Sequence, residues 1–203
     1  MEQVVEGRGA ESWFAGHASS VPRAGGYTGA MNALITEAQI AERIPALAQE
    51  IAAAWPRPER LVLVGPLKGC VIFMADLSRA LWRVGVPHDM DFVRVASYGA
   101  GTESSGVLRL ESDLYHPVQG RDVLLVDDIC DSGRTLDFVS RHLLGKGARS
   151  VRTAVLMDKP SRRALPFAVD HVGFTIPNAF VVGYGCDLAE GYRGVPYVGV
   201  YEG

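Results

Sequence analysis

The sequence predicts an α/β domain with a mostly parallel, twisted sheet flanked by helices and a small antiparallel hood near the C-terminus. Three observations carry that expectation. The runs 61–64 (Leu-Val-Leu-Val) and 123–126 (Val-Leu-Leu-Val) are continuously apolar, the pattern of strands buried on both faces. Segments of helical period follow them, with Leu136, Val139 and Leu143 at i, i+3 and i+7 after the second run. Strands alternating with helices imply parallel pairing and ligands at the carboxyl ends of the strands.

The elements follow in chain order. Residues 1–30 contain Gly7, Gly9, Gly16, Gly25, Gly26 and Gly29 without sustained periodicity, and read as a disordered N-terminal extension. They lack the basic start and long apolar core of a secretion signal. Order begins at Met31, which reads as the functional start of a domain spanning 31–203. Thr36-x-x-Gln39 has the form of a capping box, and Ile40, Ile44, Leu47 and Ile51 continue at helical spacing. Pro45 is expected to kink or divide that helix. A strand over 61–64, a helix over 72–84, strands over 91–96 and 123–127, a helix over 136–144 ending at Gly145 and a strand over 151–156 complete the α/β rhythm. The last forty residues break it. Three short strand-like runs, 172–174, 180–182 and 197–200, have no helix between them, and suggest the hood, drawn mainly from 165–203 and placed over the site.

Composition narrows the class. A chain of 203 residues buries a medium core easily. A net charge of −3 with no Lys/Arg-rich helix excludes the basic field of a nucleic-acid binder. No apolar run approaches the roughly 20 residues of a membrane span. Cys70, Cys130 and Cys186 form no CxxC pair, so reduced thiols and a cytoplasmic location are expected. Cys130 has no histidine spaced to activate it and reads as structural.

The run 125–135, Leu-Val-Asp-Asp-Ile-Cys-Asp-Ser-Gly-Arg-Thr, carries the chemistry. Asp127 and Asp128 end a buried strand, where adjacent carboxylates are costly unless something cationic or hydroxylated meets them. They suit vicinal hydroxyls or a divalent cation. Asp131, Ser132, Gly133, Arg134 and Thr135 form a turn opening a helix, where backbone N–H groups and the helix dipole suit a phosphate. The plain alternative is a βα turn whose acids and hydroxyls serve as helix caps. No Gly-x-x-x-x-Gly-Lys-Ser/Thr loop occurs.

This run closely resembles the phosphoribosyl-diphosphate (PRPP) motif of the type I phosphoribosyltransferases. The resemblance implies that fold, with the acids on the ribose 2′ and 3′ hydroxyls and the turn on the 5′-phosphate. Asp131 then resembles the family's general base for purine N7. The turn Gly65-Pro66-Leu67-Lys68-Gly69 sharpens the resemblance to the hypoxanthine-guanine branch, where Leu67, Lys68 and Gly69 would bind pyrophosphate and a cis peptide often precedes the lysine. Ser97 and Tyr98 would lead a closing lid. Lys159 would donate to the 6-oxo group of a purine, a contact that adenine's amino group cannot accept. Ile129, Phe180, Val181 and Asp187 would form the purine site, with Phe180 stacked on the base. Asp187, with Asp127 and Asp128, would hold Mg²⁺, and Arg193 would bind leaving pyrophosphate. Two departures are visible: Asp127 stands where the branch usually has Glu, and Arg134 replaces the more familiar Lys or Asn. The similarity runs from about residue 34 to 202.

The resemblance implies a purine-salvage enzyme taking PRPP and hypoxanthine or guanine to IMP or GMP and pyrophosphate, with Asp131, Lys159 and Arg193 catalytic. A homodimer or homotetramer is the family's usual state. Nucleotide-sensing regulators share this fold but need a basic face that this chain lacks. Lys159 and Phe180 speak against adenine and pyrimidines; xanthine stays open.

Overall fold

The computed structural model describes residues 31–55, 60–97 and 108–202. A six-stranded sheet in the order β4-β3-β2-β5-β6-β7 is joined by a three-stranded sheet in the order β1-β9-β8. The central sheet comprises β2 (Leu61–Pro66), β3 (His88–Ser97), β4 (Leu108–Ser112), β5 (Asp122–Cys130), β6 (Ser150–Asp158) and β7 (His171–Thr175). All its pairings are parallel except β3 with β4. The helices are α1 (Glu37–Ala54), α2 (Cys70–Arg83) and α3 (Arg134–Gly145). The small antiparallel sheet is built from β1 (Met31–Ile35), β8 (Val181–Val182) and β9 (Val198–Tyr201).

Alternation along the buried strands explains the layers. Leu61, Leu63, Leu124 and Val126 pack in one cluster with Ile44, Leu47, Phe73 and Leu77 of α1 and α2. Their neighbours Val62, Val64, Val123 and Leu125 point the other way and pack with Leu136, Val139 and Leu143 of α3. A strand covered on both faces must be apolar throughout, which is why these runs show no polar alternation. Truncating Leu63, wholly buried between the layers, should cost about 2–5 kcal/mol.

Thr36 caps α1 as expected. Its hydroxyl accepts from the Gln39 N–H at 3.2 Å, and the Gln39 side chain accepts from the Thr36 N–H at 2.8 Å. Pro45 does not divide the helix, which runs unbroken from Glu37 to Ala54. Pro45 lies on the exposed side, while Ile40, Ile44, Leu47, Ala48 and Ile51 hold both flanks against the core.

Two further expectations change. The strand near 172–174 belongs to the central sheet rather than the hood: β7 runs parallel to β6, pairing Ala154 with His171 and Met157 with Phe174. Its connection carries only a short 3₁₀ turn, Pro160–Arg162, so the helical signal of a parallel crossover is missing from the sequence. The hood instead recruits β1, whose Met31 pairs with Tyr201. β4 was likewise unexpected; it is a short edge strand with little burial.

Candidate active site

The acid pair lies near the end of β5, with each residue only 8% exposed. The Asp128 N–H donates to Asp127 Oδ1 at 3.0 Å. Burial, and then the charge of Asp128, push the Asp127 carboxyl well above the usual carboxylate range. Burial also raises Asp128, opposed by hydrogen bonds from the Cys186 thiol and within the pair, and by the positive charge of Arg193. The thiol donates to Asp128 Oδ2 at 3.4 Å. Two acids held this way favour a ligand that brings hydroxyls or positive charge.

Glycines permit the close approach around the pair. A Cβ on Gly69 would lie 2.1 Å from Asp128 Oδ2, so the turn after β2 rests directly on this carboxylate. Gly185 has φ +104°, and a Cβ there would meet the Gly69 carbonyl oxygen at 2.2 Å. The turn, the acid pair and the chain after β8 thereby meet at one point. The Leu67–Lys68 peptide is cis.

Beside the acids, a cavity of about 230 Å³ is walled by Asp127, Asp128, Ile129, Asp131, Ser132, Gly133 and Thr135. Gly133, with φ +80°, starts α3 without a capping side chain. Ser132 Oγ accepts from the Arg134 N–H at 3.3 Å. No side chain among the described residues caps the next amides, those of Thr135 and Leu136. Arg163 braces the turn from below: Nη1 donates to the carbonyls of Cys130 (2.9 Å) and Asp131 (2.8 Å), and Nη2 pairs with Asp158. Asp131 Oδ1 accepts from Arg162 Nε at 3.1 Å. The Arg134 side chain is exposed and borders a separate cavity with Phe138 and Arg141, so only its backbone joins the turn. Burial pushes the Cys130 thiol up to about 11, which disfavours the nucleophilic thiolate.

Lys159 follows β6 and is 6% exposed, and its N–H donates to the Cys130 carbonyl at 3.0 Å. Among the described residues its ammonium makes no hydrogen bond, although buried lysines are ordinarily paired. Val181 is buried in β8 opposite Val200, whereas Phe180 is 53% exposed with its ring edge-on to Tyr201 at 6.2 Å. Exposure of so large an aromatic suits a stacking surface.

A fourth group lies over the turn after β2. Lys68 Nζ pairs with Glu190 Oε2 at 2.9 Å, and Arg193 Nη2 pairs with Asp187 Oδ1 at 2.8 Å. Arg193 Nη1 donates to the Gly185 carbonyl at 2.7 Å, while its buried Nε has no hydrogen-bond partner among the described residues. Glu190 and Arg163 are participants that sequence reasoning missed. Nothing in the local pattern marks Glu190, since its partner lies 122 positions away. Arg163 sits in a cluster that reads equally well as surface charge. Ser97 ends β3, and Tyr98 lies outside the described residues. Among the described residues no group of three or more His, Cys, Asp or Glu forms a metal cage. The acids expected to hold a metal are split, with Asp127 and Asp128 on β5 and Asp187 engaged by Arg193.

A buried acid pair beside an open helix N-terminus, at the strand tips of a parallel sheet, suits a ligand that carries both hydroxyls and a phosphate, such as a phosphorylated sugar. Comparison with known proteins gives the same answer more narrowly. Residues 32–188 match the phosphoribosyl transferase domain. The hypoxanthine phosphoribosyltransferase of Salmonella typhimurium is 45% identical over 168 residues, covering 82% of this chain and 92% of that protein. A bifunctional protein TilS/HprT of Listeria innocua is 46% identical over 169 residues; the match covers 83% of this chain but only 26% of that longer protein. A solved hypoxanthine phosphoribosyl transferase of Trypanosoma cruzi superposes with a TM-score of 0.81 at 41% identity, covering 89% of this chain and 94% of that one. The chain belongs to the phosphoribosyl transferase family, within its hypoxanthine-guanine branch.

Proposed function

We propose that this chain is a purine-salvage enzyme that transfers the 5-phosphoribosyl group from PRPP to hypoxanthine and guanine, releasing IMP or GMP and pyrophosphate. The observation that carries the reading is the buried Asp127–Asp128 pair beside the uncapped N-terminus of α3. In this reading the pair holds the ribose diol, and the 131–135 turn holds the 5′-phosphate through its amides and the Thr135 hydroxyl. Lys68, the Gly69 N–H and Arg193 stabilise negative charge on the departing diphosphate. Lys159, only 6% exposed and with no hydrogen-bond acceptor for its ammonium among the described residues, donates to the 6-oxo group, Phe180 stacks on the ring, and Ile129 and Val181 complete the pocket wall.

A purine ring nitrogen forms the new bond to C1′ as the bond from C1′ to the diphosphate oxygen breaks, and Asp131 takes the proton from N7. Asp131 must first exchange its contact with Arg162 for the purine. Ser97 and Tyr98 lead the lid that keeps water out. The donor set fits Mg²⁺: the carboxylates of Asp127, Asp128 and Asp187 are hard oxygen ligands, and the first two are buried side by side. When bound, Mg²⁺ neutralises diphosphate charge.

Three buried free cysteines suit a reducing cytoplasm. Among the described residues no helix is long and apolar enough to cross a membrane. Exposed Val71, Ile72, Trp82 and Met90 support assembly into a homodimer or homotetramer, which sedimentation would test. The activity itself is tested by supplying PRPP and Mg²⁺ with hypoxanthine, guanine, xanthine or adenine and measuring nucleotide formed. Turnover of the first two is expected. Turnover of adenine alone would overturn the assignment.

A further inference from the structure

Lys68 and Arg193, read above as the cations that meet the diphosphate, converge on one protein carboxylate. Glu190 Oε2 lies 2.9 Å from Lys68 Nζ and 3.5 Å from Arg193 Nη2. The backbone aims it there. Leu188 and Gly191 bridge across a tight turn, and the Glu190 N–H donates to Asp187 Oδ2 at 2.9 Å. Ala189 and Glu190 take φ values of +48° and +67°, a region uncommon for residues with a Cβ and tolerated where surrounding contacts hold it. The side chain itself is two-thirds exposed, so it can swing away without unpacking anything.

We propose that Glu190 is an internal competitor for the diphosphate, a carboxylate that occupies the same two cations and so sets how tightly the diphosphate binds and how readily it leaves. The inference rests on the proposed phosphoribosyl transfer. A diphosphate carries more negative charge than one carboxylate and displaces it, aided by the ease with which an exposed ion pair breaks. As the diphosphate departs, Glu190 returns, so that Lys68 regains its partner and Arg193 has Glu190 as well as Asp187 beside it.

Glu190→Gln removes the charge while keeping the size and the backbone turn. Calorimetric titration of the full chain with pyrophosphate in Mg²⁺ should show binding about fivefold tighter in the variant, the scale of an exposed ion pair. The gap should narrow at high salt, where screening weakens the competitor. Affinity for ribose 5-phosphate should not move, which separates competition from a general structural effect. Glu190→Asp, which keeps the charge on a shorter arm, should fall between the two. Pyrophosphate affinity equal to or weaker than wild type in Glu190→Gln would overturn the inference while leaving the transfer reaction standing. A wild-type chain that binds no pyrophosphate would remove both.

Discussion

The two halves of the site are built in opposite ways. The half around Asp127, Asp128 and residues 131–135 comes from one contiguous stretch, fixed by a strand buried between two helical layers and braced by Arg163. Its acids are so enclosed that their carboxyls sit above the usual range. The other half joins Lys68 to Asp187, Glu190 and Arg193 across the fold, largely through half-exposed ion pairs. Such pairs are individually weak and easily exchanged. The difference matches what each half would do: the first grips the part of PRPP that stays through the reaction, and the second meets the part that leaves.

The largest effect that could break this comparison is metal removal. Chelating divalent cations should abolish turnover, and Mg²⁺ should restore it, because neither half alone neutralises a diphosphate. Full activity in EDTA would mean that Lys68 and Arg193 suffice. Next is Lys159→Ala, which should lower kcat/KM for hypoxanthine and guanine roughly ten- to a hundredfold, the worth of a charged hydrogen bond in a closed site. Adenine should lose little. Unchanged hypoxanthine kinetics would return Lys159 to a structural role.

A smaller effect sharpens the account of the rigid half. Asp127 has a raised carboxyl in the folded state, so its contribution to stability is fully present below the ordinary aspartate range near pH 4 and is lost as pH rises through the folded value. Asp127→Asn should therefore raise the melting temperature at pH 8, by roughly 2–4 °C per kcal/mol gained at this chain length, and the gain should vanish towards pH 4. A gain largest in acid would contradict the burial argument. The smallest expected effect is that of deleting residues 1–30, which should leave turnover and melting temperature nearly unchanged. A large loss would mean that the extension supports the hood.

Legibility in the sequence follows the same division. The β5 run, the uncapped turn and α3 could be read because their chemistry is local: strand, acids, glycine and helix lie within about twenty residues. The cis Leu67–Lys68 peptide was expected only through family resemblance. Glu190 could not be read, since a glutamate in a short Gly-rich turn gives no sign of a lysine 122 positions away in the sequence. β7 was misplaced because its crossover carries no real helix, and β1 was missed because 31–35 is a short edge strand completed by residues at the other end of the chain. Pro45 shows tertiary packing overriding a local breaker.

The most direct test of the division of labour measures two fragments against two variants. Ribose 5-phosphate and pyrophosphate are titrated separately, in Mg²⁺, into Thr135→Ala and Lys68→Ala. Loss of a phosphate hydrogen bond of about 1–3 kcal/mol at Thr135 should weaken ribose 5-phosphate roughly five- to a hundredfold and leave pyrophosphate within twofold of wild type. Lys68→Ala should do the reverse. If both variants weakened both fragments to the same degree, the site would be a single coupled unit, and the separation into a half that holds and a half that releases would be wrong.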